Sequence, residues 1–334
     1  MMPKYMLLLS LGLASCASAQ RGDRELNAIT SPICDKALVV LGELPSHGEA
    51  KTFVLKARLV QDLVQNCGFN VVAFEAPIYD FLAFTRASDT TQLNNAIGRF
   101  WLANELGAFR RWLFTEATAG RLNLVGLDDQ LSITSKYGRA ILPTLMATAE
   151  CREIVARNLQ WTYTDAQPFD ATEKERLRGC VFRASSNDIM LKNLRTFVDR
   201  QVDAPGARSR DDVFRENLRR QTSRGSKAIV WTATVHADRR AWGPRAATIG
   251  FTALSGSSSM AGRPVKQFEK LPEDALESHV EPNGEWTFLD ARKLKGLGVV
   301  PSRLLGKVTS AEWSSYFDGV VVFRAEVAPT FPKW

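Results

Sequence analysis

Residues 37–43 have the sequence ALVVLGE, a short apolar run that ends in a glutamate. Three further runs of the same kind follow: NVVAFEA at 70–76, LNLVGLD at 122–128 and KAIVWTATVH at 227–236. Continuous apolar runs rich in Val and Ile are typical of strands that are buried on both faces. Together they predict the central strands of an α/β protein with a mainly parallel sheet.

Helical patterns separate these predicted strands. After the first strand, Phe53, Val60 and Leu63 recur at helical spacing, and Gly68 follows as the expected C-cap. This order gives a β-α-β unit, so we expect the parallel sheet to be flanked by helices.

Two longer regions are also predicted to be helical. Residues 92–118 have the pattern of one amphipathic helix, and residues 137–222 that of a mostly helical insertion, interrupted near Pro168 and Pro205. We expect the insertion to lie over the carboxyl edge of the sheet. Three later apolar segments predict added or edge strands: 248–256, 286–291 and 319–323.

The N-terminal segment has the composition of an export signal. Residues 1–19 contain one lysine, a leucine-rich stretch and a final Ala-Ser-Ala that fits cleavage before Gln20. Alternatively, the sequence LASC resembles a bacterial lipobox, whose Cys16 would be lipidated and would anchor the protein to the membrane. Both alternatives predict export, to the periplasm or as a membrane-anchored lipoprotein, and leave residues 30–334 as one α/β domain.

An exported chain can hold disulfides, and four cysteines remain beyond Cys16. Cys34 and Cys67 each precede a predicted strand, whereas Cys151 and Cys180 flank one helical stretch. We therefore predict the bonds Cys34–Cys67 and Cys151–Cys180, the alternative being four buried free thiols. The cysteines do not have the CxxC or Cys/His spacing of a zinc site.

The net charge of +7 is spread along the chain, apart from the segment RSRDDVFRENLRRQTSRGSK at 208–227. Its basic residues alternate with Asp211, Asp212 and Glu216 at helical spacing, which is typical of a solvated, ion-paired helix face. We therefore expect no nucleic-acid partner. An anionic membrane surface suits this charge better.

Titratable residues end all four central strands. Glu43, Glu75 and Asp128 end the first three, His236 ends the fourth, and His47 follows in the loop after the first. The carboxyl ends of parallel strands share one edge of the sheet, where ligand crevices form. The sequence therefore predicts a functional site at this edge. The simpler alternatives are carboxylates that cap the next helix and histidines with a structural hydrogen bond.

A set of short sequence pieces follows the same strands and helices in order. They are LGE with HG, LKARL, GF leading into VVAFEA, WLANE with RRW, VGLDDQ, RDDVFRENL before a WxxxxH strand, IGFTALSG, and the terminal YFDGVVVFRAEVAPTFPKW. The ordered set resembles the erythromycin esterase family. It extends over about residues 36–334 and leaves the helical insertion poorly matched.

The resemblance implies a metal-independent hydrolase that opens a macrocyclic ester, such as a macrolide lactone, with a histidine as general base toward water. Glu43 and His47 match the family's first acidic-histidine pair, and Lys56 falls where the family has a catalytic-site arginine. Glu75 matches the second glutamate, and His236 matches the last histidine of the W-x-H-N-x-H strand motif. The implied site needs no cofactor.

The chain departs from the family pattern at three points. Three residues separate Glu43 from His47, where the family has two. Lys56 keeps the positive charge of the family arginine but not its planar, two-pronged set of donors. Ala233 and Thr234 stand where the family motif has histidine and asparagine.

Apart from the family, these residue types suit the hydrolysis of a small-molecule ester. A neutral imidazole at His47 can take a proton from water, while Glu43 or Glu75 holds its tautomer. Lys56 lies on the inward face of its predicted helix, where its ammonium could stabilise an oxyanion, and His236 would protonate the leaving group. A serine nucleophile is disfavoured because the chain has no GxSxG motif.

Two weaker substrate contacts are Asp128 and Glu105. Glu105 lies near Trp101, in a segment similar to the family helix that faces the site. Trp101, Trp112 and Trp231 are interpreted as packing residues, and His279 has no predicted role.

Two alternative functions remain open from the sequence. One is a metal-dependent hydrolase in which Glu43, His47, Glu75 and His236 bind the ion. The other is a non-catalytic, ligand- or haem-binding lipoprotein, which is consistent with the lipobox and with Ala233 in place of a histidine.

Overall fold

The computed structural model of the 334-residue chain describes residues 25–131, 134–160, 169–184, 188–281 and 284–332. The strands are β1 Leu38–Glu43, β2 Val71–Pro77, β3 Asn123–Asp128, β4 Ala228–Ala233, β5 Ala246–Ser258, β6 Lys266–Gln267, β7 Trp286–Asp290, β8 Val299–Ser302, β9 Thr309–Glu312 and β10 Gly319–Glu326. An eight-stranded sheet has the order β3-β2-β4-β1-β5-β10-β7, with β6 paired to β5. Among the strands of the described residues, only β7 and β6 join it antiparallel, so the predicted α/β class with a mainly parallel sheet is confirmed.

Strand β4 lies between β1 and β2 and aligns their carboxyl ends. Glu43 pairs with Ala233, and Phe74 pairs with Trp231 one residue before Glu75. The loop after β4, which carries His236, therefore begins beside the ends of both acidic strands. This register brings together residues that are up to about 190 positions apart in the sequence.

The helices cover both faces of the sheet. They are α1 25–30, α2 Ala50–Cys67, α3 Ile78–Ala83, α4 Thr90–Ile97, α5 Gly107–Thr118, α6 Lys136–Thr144, α7 Ala149–Gln160, α8 Ala171–Arg183, α9 Ile189–Gln201, α10 Arg210–Gln221, α11 Arg239–Trp242 and α12 Ala291–Leu297. Helix α2 ends at Gly68, whose φ of 72° lies in the left-handed region that favours glycine, as the sequence predicted.

Alternate residues of each central strand enter two separate hydrophobic cores. In β1, Val39 and Leu41 pack under α2, α4 and α5, whereas Val40 faces the opposite side with Phe214 of α10 and Leu294 of α12. Both faces are buried, which explains why the strand sequences are continuously apolar.

The predicted helix over 92–118 is wrong in one respect, because the chain breaks between α4 and α5. Two short 3₁₀ turns, Arg99–Leu102 and Asn104–Leu106, occupy the gap. Gly98 causes the break: its φ of 85° and ψ of 170° cannot continue an α-helix.

Helices α6 to α9 form a third hydrophobic core. This core includes Ile78, Tyr79 and Leu131, which directly follow β2 and β3, so these helices lie against the carboxyl edge of the sheet. Helix α10 packs on the sheet itself, through Phe214 and Leu218. The expected interruption at Pro205 falls between α9 and α10, whereas Pro168 lies outside the described residues.

Both predicted disulfides are present. Cys34 and Cys67 join the chain before β1 to the end of α2, and Cys151 and Cys180 join α7 to α8. Residues 1–24, with the predicted signal and Cys16, lie outside the described residues. Within the described ranges, none of the helices has the length and apolar character needed to span a bilayer.

Candidate active site

Glu43, the last residue of β1, is fully buried and accepts four hydrogen bonds. Its Oε1 accepts from His47 Nδ1 at 2.7 Å and from Trp101 Nε1 at 2.9 Å. Its Oε2 accepts from Lys56 Nζ and Trp231 Nε1, both at 2.7 Å. Burial opposes the charged form, but Lys56 and His47 outweigh it and hold the pKa of this carboxyl below its usual range. Glu43 is therefore a fixed anion at the base of the site.

Lys56 lies behind Glu43 and has no exposed surface. Its ammonium bonds to Glu43, lies 3.5 Å from the Thr232 carbonyl and sits over the Trp231 ring, 4.5 Å from the centroid. Burial lowers its pKa to about 8, although Glu43 partly offsets the effect. The sequence correctly predicted that Lys56 points inward. Its enclosed position suits it to holding Glu43 rather than to contacting a substrate oxyanion.

The loop between β1 and α2 holds His47 against Glu43. Its backbone has a φ of 48°, a conformation that non-glycine residues adopt rarely, and its amide donates to the Leu44 carbonyl at 3.0 Å. The next residue must be glycine, since a Cβ on Gly48 would lie 2.5 Å from the Ser259 carbonyl oxygen. The packing of this loop therefore fixes the direction of the imidazole.

The tautomer of His47 follows from its partner. A carboxylate only accepts hydrogen bonds, so Nδ1 carries the proton that bonds Glu43. The other nitrogen, Nε2, lies 4.0 Å from Glu75 Oε2, beyond hydrogen-bond distance. Burial alone would lower the pKa of His47, but the bond to Glu43 and the charge of Glu75 raise it above its ordinary value. Nε2 is therefore free to accept a proton, and the two carboxylates make it a stronger base than an ordinary imidazole.

Glu75 lies between the two site histidines. Its Oε2 accepts from the Thr232 hydroxyl at 2.7 Å and from the Ala233 amide at 2.8 Å. Its Oε1 lies 3.5 Å from His236 Nε2. Burial opposes its charge, but the surrounding histidines, Arg210 and the amide lower the pKa of Glu75 to about 2.

His236 forms a second carboxylate–histidine pair on the far side of Glu75. Its Nδ1 lies 2.6 Å from Asp211 Oδ1, and its Nε2 lies 3.3 Å from Arg210 Nη1. Because a guanidinium only donates, Nε2 must accept in this contact, and Nδ1 donates to Asp211. The ring packs on Phe214 with the centroids 5.0 Å apart.

Arg210 joins this second pair to Asp128. Its Nη2 donates to Asp128 Oδ2 at 2.5 Å and to Glu75 Oε1 at 3.1 Å. The prediction of a solvated helix face at 208–227 is therefore wrong for Arg210 and Asp211, because the first turn of α10 points both side chains into the site. The sequence piece RDDVFRENL contains both residues, but its alternating charges matched a solvated helix face and did not indicate a role in the site.

The structure brings most of the predicted site residues together, with one correction. Glu43, His47, Lys56, Glu75, Asp128 and His236 belong to one connected set of contacts. Glu105 instead accepts hydrogen bonds from the amide and hydroxyl of Thr330 in the C-terminal segment, both at 2.9 Å. The helix break at Gly98 turns Glu105 away from the expected direction, so its carboxylate bonds Thr330 instead of a member of this set.

The tryptophans have a larger part in the site than packing. Trp101 and Trp231 are buried, as predicted, but both also donate their indole N–H to Glu43. Trp112 packs on Phe109, with the ring centroids 5.7 Å apart. Hydrophobic periodicity could not reveal the two hydrogen bonds, because it records only which face is buried.

The site reaches solvent on the side of α10. The side chains of His47 and Glu75 are 9% and 7% exposed, whereas those of Arg210 and Asp211 are 32% and 37% exposed. Arg210 and Asp211 therefore lie at the solvent side of the site, and His47 lies deeper in the protein.

The donor set does not suit a metal ion bound by Glu43. All four of its partners are hydrogen-bond donors, two on each carboxylate oxygen. A cation at Glu43 would have to displace Lys56 or an indole from a fully buried position. Among the described residues, no cluster of three or more His, Cys, Asp or Glu has the geometry of a metal site.

No family model matches the sequence, and the search of curated proteins found no match. Solved structures do share its fold. A succinoglycan biosynthesis protein is 17% identical, with a TM-score of 0.68 over 92% of each chain. A protein from Bacillus cereus is 17% identical, with a TM-score of 0.67 over 92% of this chain and 94% of that one.

A variant of an erythromycin esterase, in its open conformation, has the same fold at greater distance. It is 15% identical, with a TM-score of 0.62 over 92% of this chain and 95% of that one. The chain therefore has the erythromycin esterase-like fold, as the sequence pieces indicated, and the relationship is distant.

Proposed function

We propose that the protein is an exported hydrolase that cleaves an ester or a related acyl bond of a small molecule, with His47 as general base. The observation that carries the proposal is the Glu43–His47 pair: a fully buried carboxylate holds Nδ1 at 2.7 Å and leaves Nε2 available. A carboxylate–histidine pair of this kind fixes the tautomer and stabilises the imidazolium that forms when the base takes a proton.

In the proposed reaction, water attacks the acyl carbon and gives one proton to His47 Nε2. Glu43 stays ionised and stabilises the imidazolium, and Lys56 and the two indoles keep that charge in place. The ester C–O bond then breaks, the oxygen of water stays with the acyl product as a carboxylic acid, and the leaving alkoxide takes the proton from His47 Nε2 and departs as the alcohol.

His236 and Arg210 serve the opposite side of the reacting bond. Arg210 keeps a permanent charge beside the site, where it stabilises the oxygen that becomes negative during attack. This is the role that the sequence suggested for Lys56. His236, held by Asp211 at 2.6 Å, accepts from Arg210 through Nε2 and orients the guanidinium toward that oxygen. Glu75 keeps the His47 imidazole basic through its charge.

Export is part of the same proposal. Two disulfides, Cys34–Cys67 and Cys151–Cys180, favour an oxidising compartment such as the bacterial periplasm. The predicted signal at 1–19, or a lipid on Cys16, would direct the chain there.

The test is ester hydrolysis by the purified protein, on a panel that includes aryl esters, alkyl esters and macrocyclic lactones. We expect His47→Gln to lower kcat/KM by roughly 10²- to 10⁴-fold, the usual contribution of a general base. His279→Gln is the matched control, because His279 is an exposed histidine in the turn Leu276–His279, and it should keep the parent rate. Equal rates for the His47 variant and the parent would remove His47 from the mechanism.

A further inference from the structure

The break between α4 and α5 produces a short segment that contacts the base of the site. We call residues Arg99–Leu102 the strap. It begins after Gly98, where the backbone leaves the helix, and it forms a single 3₁₀ turn. The flanking residues 90–97 and 107–118 are both helical, so this departure from a continuous helix is local. Local departures of this kind are expected at functional sites.

Two arginines hold the strap in place. Arg99 donates to the Ala261 carbonyl across the loop that follows β5. From α5, Arg110 donates to the carbonyls of Trp101 at 3.0 Å and Ala103 at 2.7 Å, two groups that the helix break leaves without an α-helical partner. Arg110 thus satisfies two backbone carbonyls instead of pairing with a carboxylate. These hydrogen bonds fix the position of the strap.

The strap places two side chains directly on the Glu43–His47 pair. The ring of Phe100 stacks on the His47 imidazole, with the centroids 4.8 Å apart and the planes 21° from parallel. Trp101 donates to Glu43 Oε1, the same oxygen that His47 bonds, and its ring meets the edge of the imidazole with centroids 5.6 Å apart. The imidazole is therefore held on one face by Phe100 and at its hydrogen-bonded end through Trp101.

We propose that the strap is a positioning element for the His47 base, with Phe100 and Trp101 as its positioning residues. The proposal rests on the proposed hydrolysis for its catalytic meaning. Trp101 fixes Glu43 Oε1 so that His47 keeps its proton on Nδ1, and Phe100 prevents rotation of the ring, so Nε2 stays directed toward Glu75. Such supporting contacts keep a reacting atom within a fraction of an ångström of its productive place.

The first experiment separates positioning from packing by kinetics. Trp101→Phe removes the indole N–H while keeping an aromatic ring, and Phe100→Leu removes the stacked ring while keeping apolar volume. Both should lower kcat on the order of 10- to 100-fold, with KM changed less than about 2-fold, because orientation and not binding is lost. Trp112→Phe is the matched control, since Trp112 stacks on Phe109 and not on the site.

The second experiment is independent of activity. The chain has three histidines, so ¹⁵N-histidine labelling with a His47→Gln reference assigns the His47 ring. In the parent and in Trp112→Phe, the ¹⁵N shifts should report a single Nδ1–H tautomer. In Trp101→Phe and Phe100→Leu they should move toward a mixture of tautomers, while the thermal midpoint confirms that each variant is folded.

The two readouts separate the two proposals. Parent-like ¹⁵N shifts and kcat in both strap variants would overturn the positioning proposal, whatever the protein hydrolyses. A parent protein without esterase activity, in which the strap variants still change the His47 tautomer, would overturn the proposed hydrolysis and leave the strap in its positioning role.

Discussion

The ammonium of Lys56 lies 2.7 Å from Glu43 Oε2, and neither side chain has any exposed surface. A buried ion pair gains stability only when its remaining hydrogen-bonding groups are also satisfied. Here the carboxylate accepts three further bonds and the ammonium faces the Trp231 ring. The Lys56–Glu43 pair therefore holds in place the carboxylate that His47 bonds.

Removing the cation of this pair should destabilise the protein strongly. Lys56→Met keeps the apolar stem but leaves Glu43 as an unpaired buried anion, so we expect a loss of about 3–5 kcal/mol in the free energy of unfolding. Urea denaturation measures it. The control is Lys51→Met, which removes a partly exposed pair with Glu285 and should cost less than about 1 kcal/mol. An equal effect of the two substitutions would contradict this account of the buried pair.

The pH dependence of hydrolysis should report the charge of Glu75. His47 acts as a base only when its imidazole is neutral, and Glu75 helps to raise its pKa. Glu75→Gln removes that charge, so the pKa of His47 should fall and the acidic limb of kcat/KM should move to lower pH. Glu105→Gln is the control, because Glu105 bonds Thr330 outside the site. A limb that stays in place, or moves to higher pH, would show that Glu75 does not set the basicity of His47.

The positions of the acidic strand ends could be predicted from the sequence, because strand direction and parallel pairing are readable in apolar runs. Glu43, Glu75 and Asp128 each end such a run, and the parallel register then places them on one edge. The disulfides could be predicted for a similar reason: each pair of cysteines flanks elements that must be neighbours.

The contacts around Glu43 could not be predicted in the same way. Trp101 comes from a segment that helical periodicity assigned to a continuous helix, and the non-helical conformations of Gly98 and Ala103 break it. Arg210 lies in a charged segment whose i to i+4 pattern matches an ordinary solvated face, yet its first turn enters the site. Periodicity identifies the face of a helix but not the partner that a polar group on that face will find in three dimensions.

The stability of the protein should fall as pH rises toward 8 because of Glu49. This residue follows Gly48 and is fully buried, and its carboxyl group bonds the Ser46 hydroxyl and the Gly48 amide. Burial raises its pKa from the ordinary 4.5 to about 8, and the charge of Glu43 adds to the effect. A carboxyl whose pKa is raised by folding stabilises the protein fully below its unfolded pKa, and this contribution is lost as pH rises through the folded value.

Glu49→Gln tests this linkage, since an amide has the same shape and does not titrate. We expect its free energy of unfolding, measured in urea between pH 5 and pH 9, to decline less steeply than that of the parent. Glu326, whose pKa burial raises to about 7, should keep part of the slope in the variant. The control is Glu285→Gln at an exposed carboxylate. Parallel curves for the parent and Glu49→Gln would show that Glu49 does not change its protonation on unfolding.

Chelation should leave hydrolysis unchanged. The alternative of a metal-dependent enzyme requires Glu43, His47, Glu75 and His236 to share an ion, but Glu43 already accepts two hydrogen bonds on each oxygen. A cation bound at Glu43 would leave the buried Lys56 ammonium without its carboxylate partner. Losing this buried partner is far less favourable than exchanging a water ligand on a metal ion. We therefore expect the same kcat/KM before and after dialysis against EDTA, and no gain from added Zn²⁺, Mn²⁺ or Mg²⁺. Activity that disappears with EDTA and returns with one of these ions would require Glu43 to rearrange, and the ion instead of His47 would then activate the attacking water.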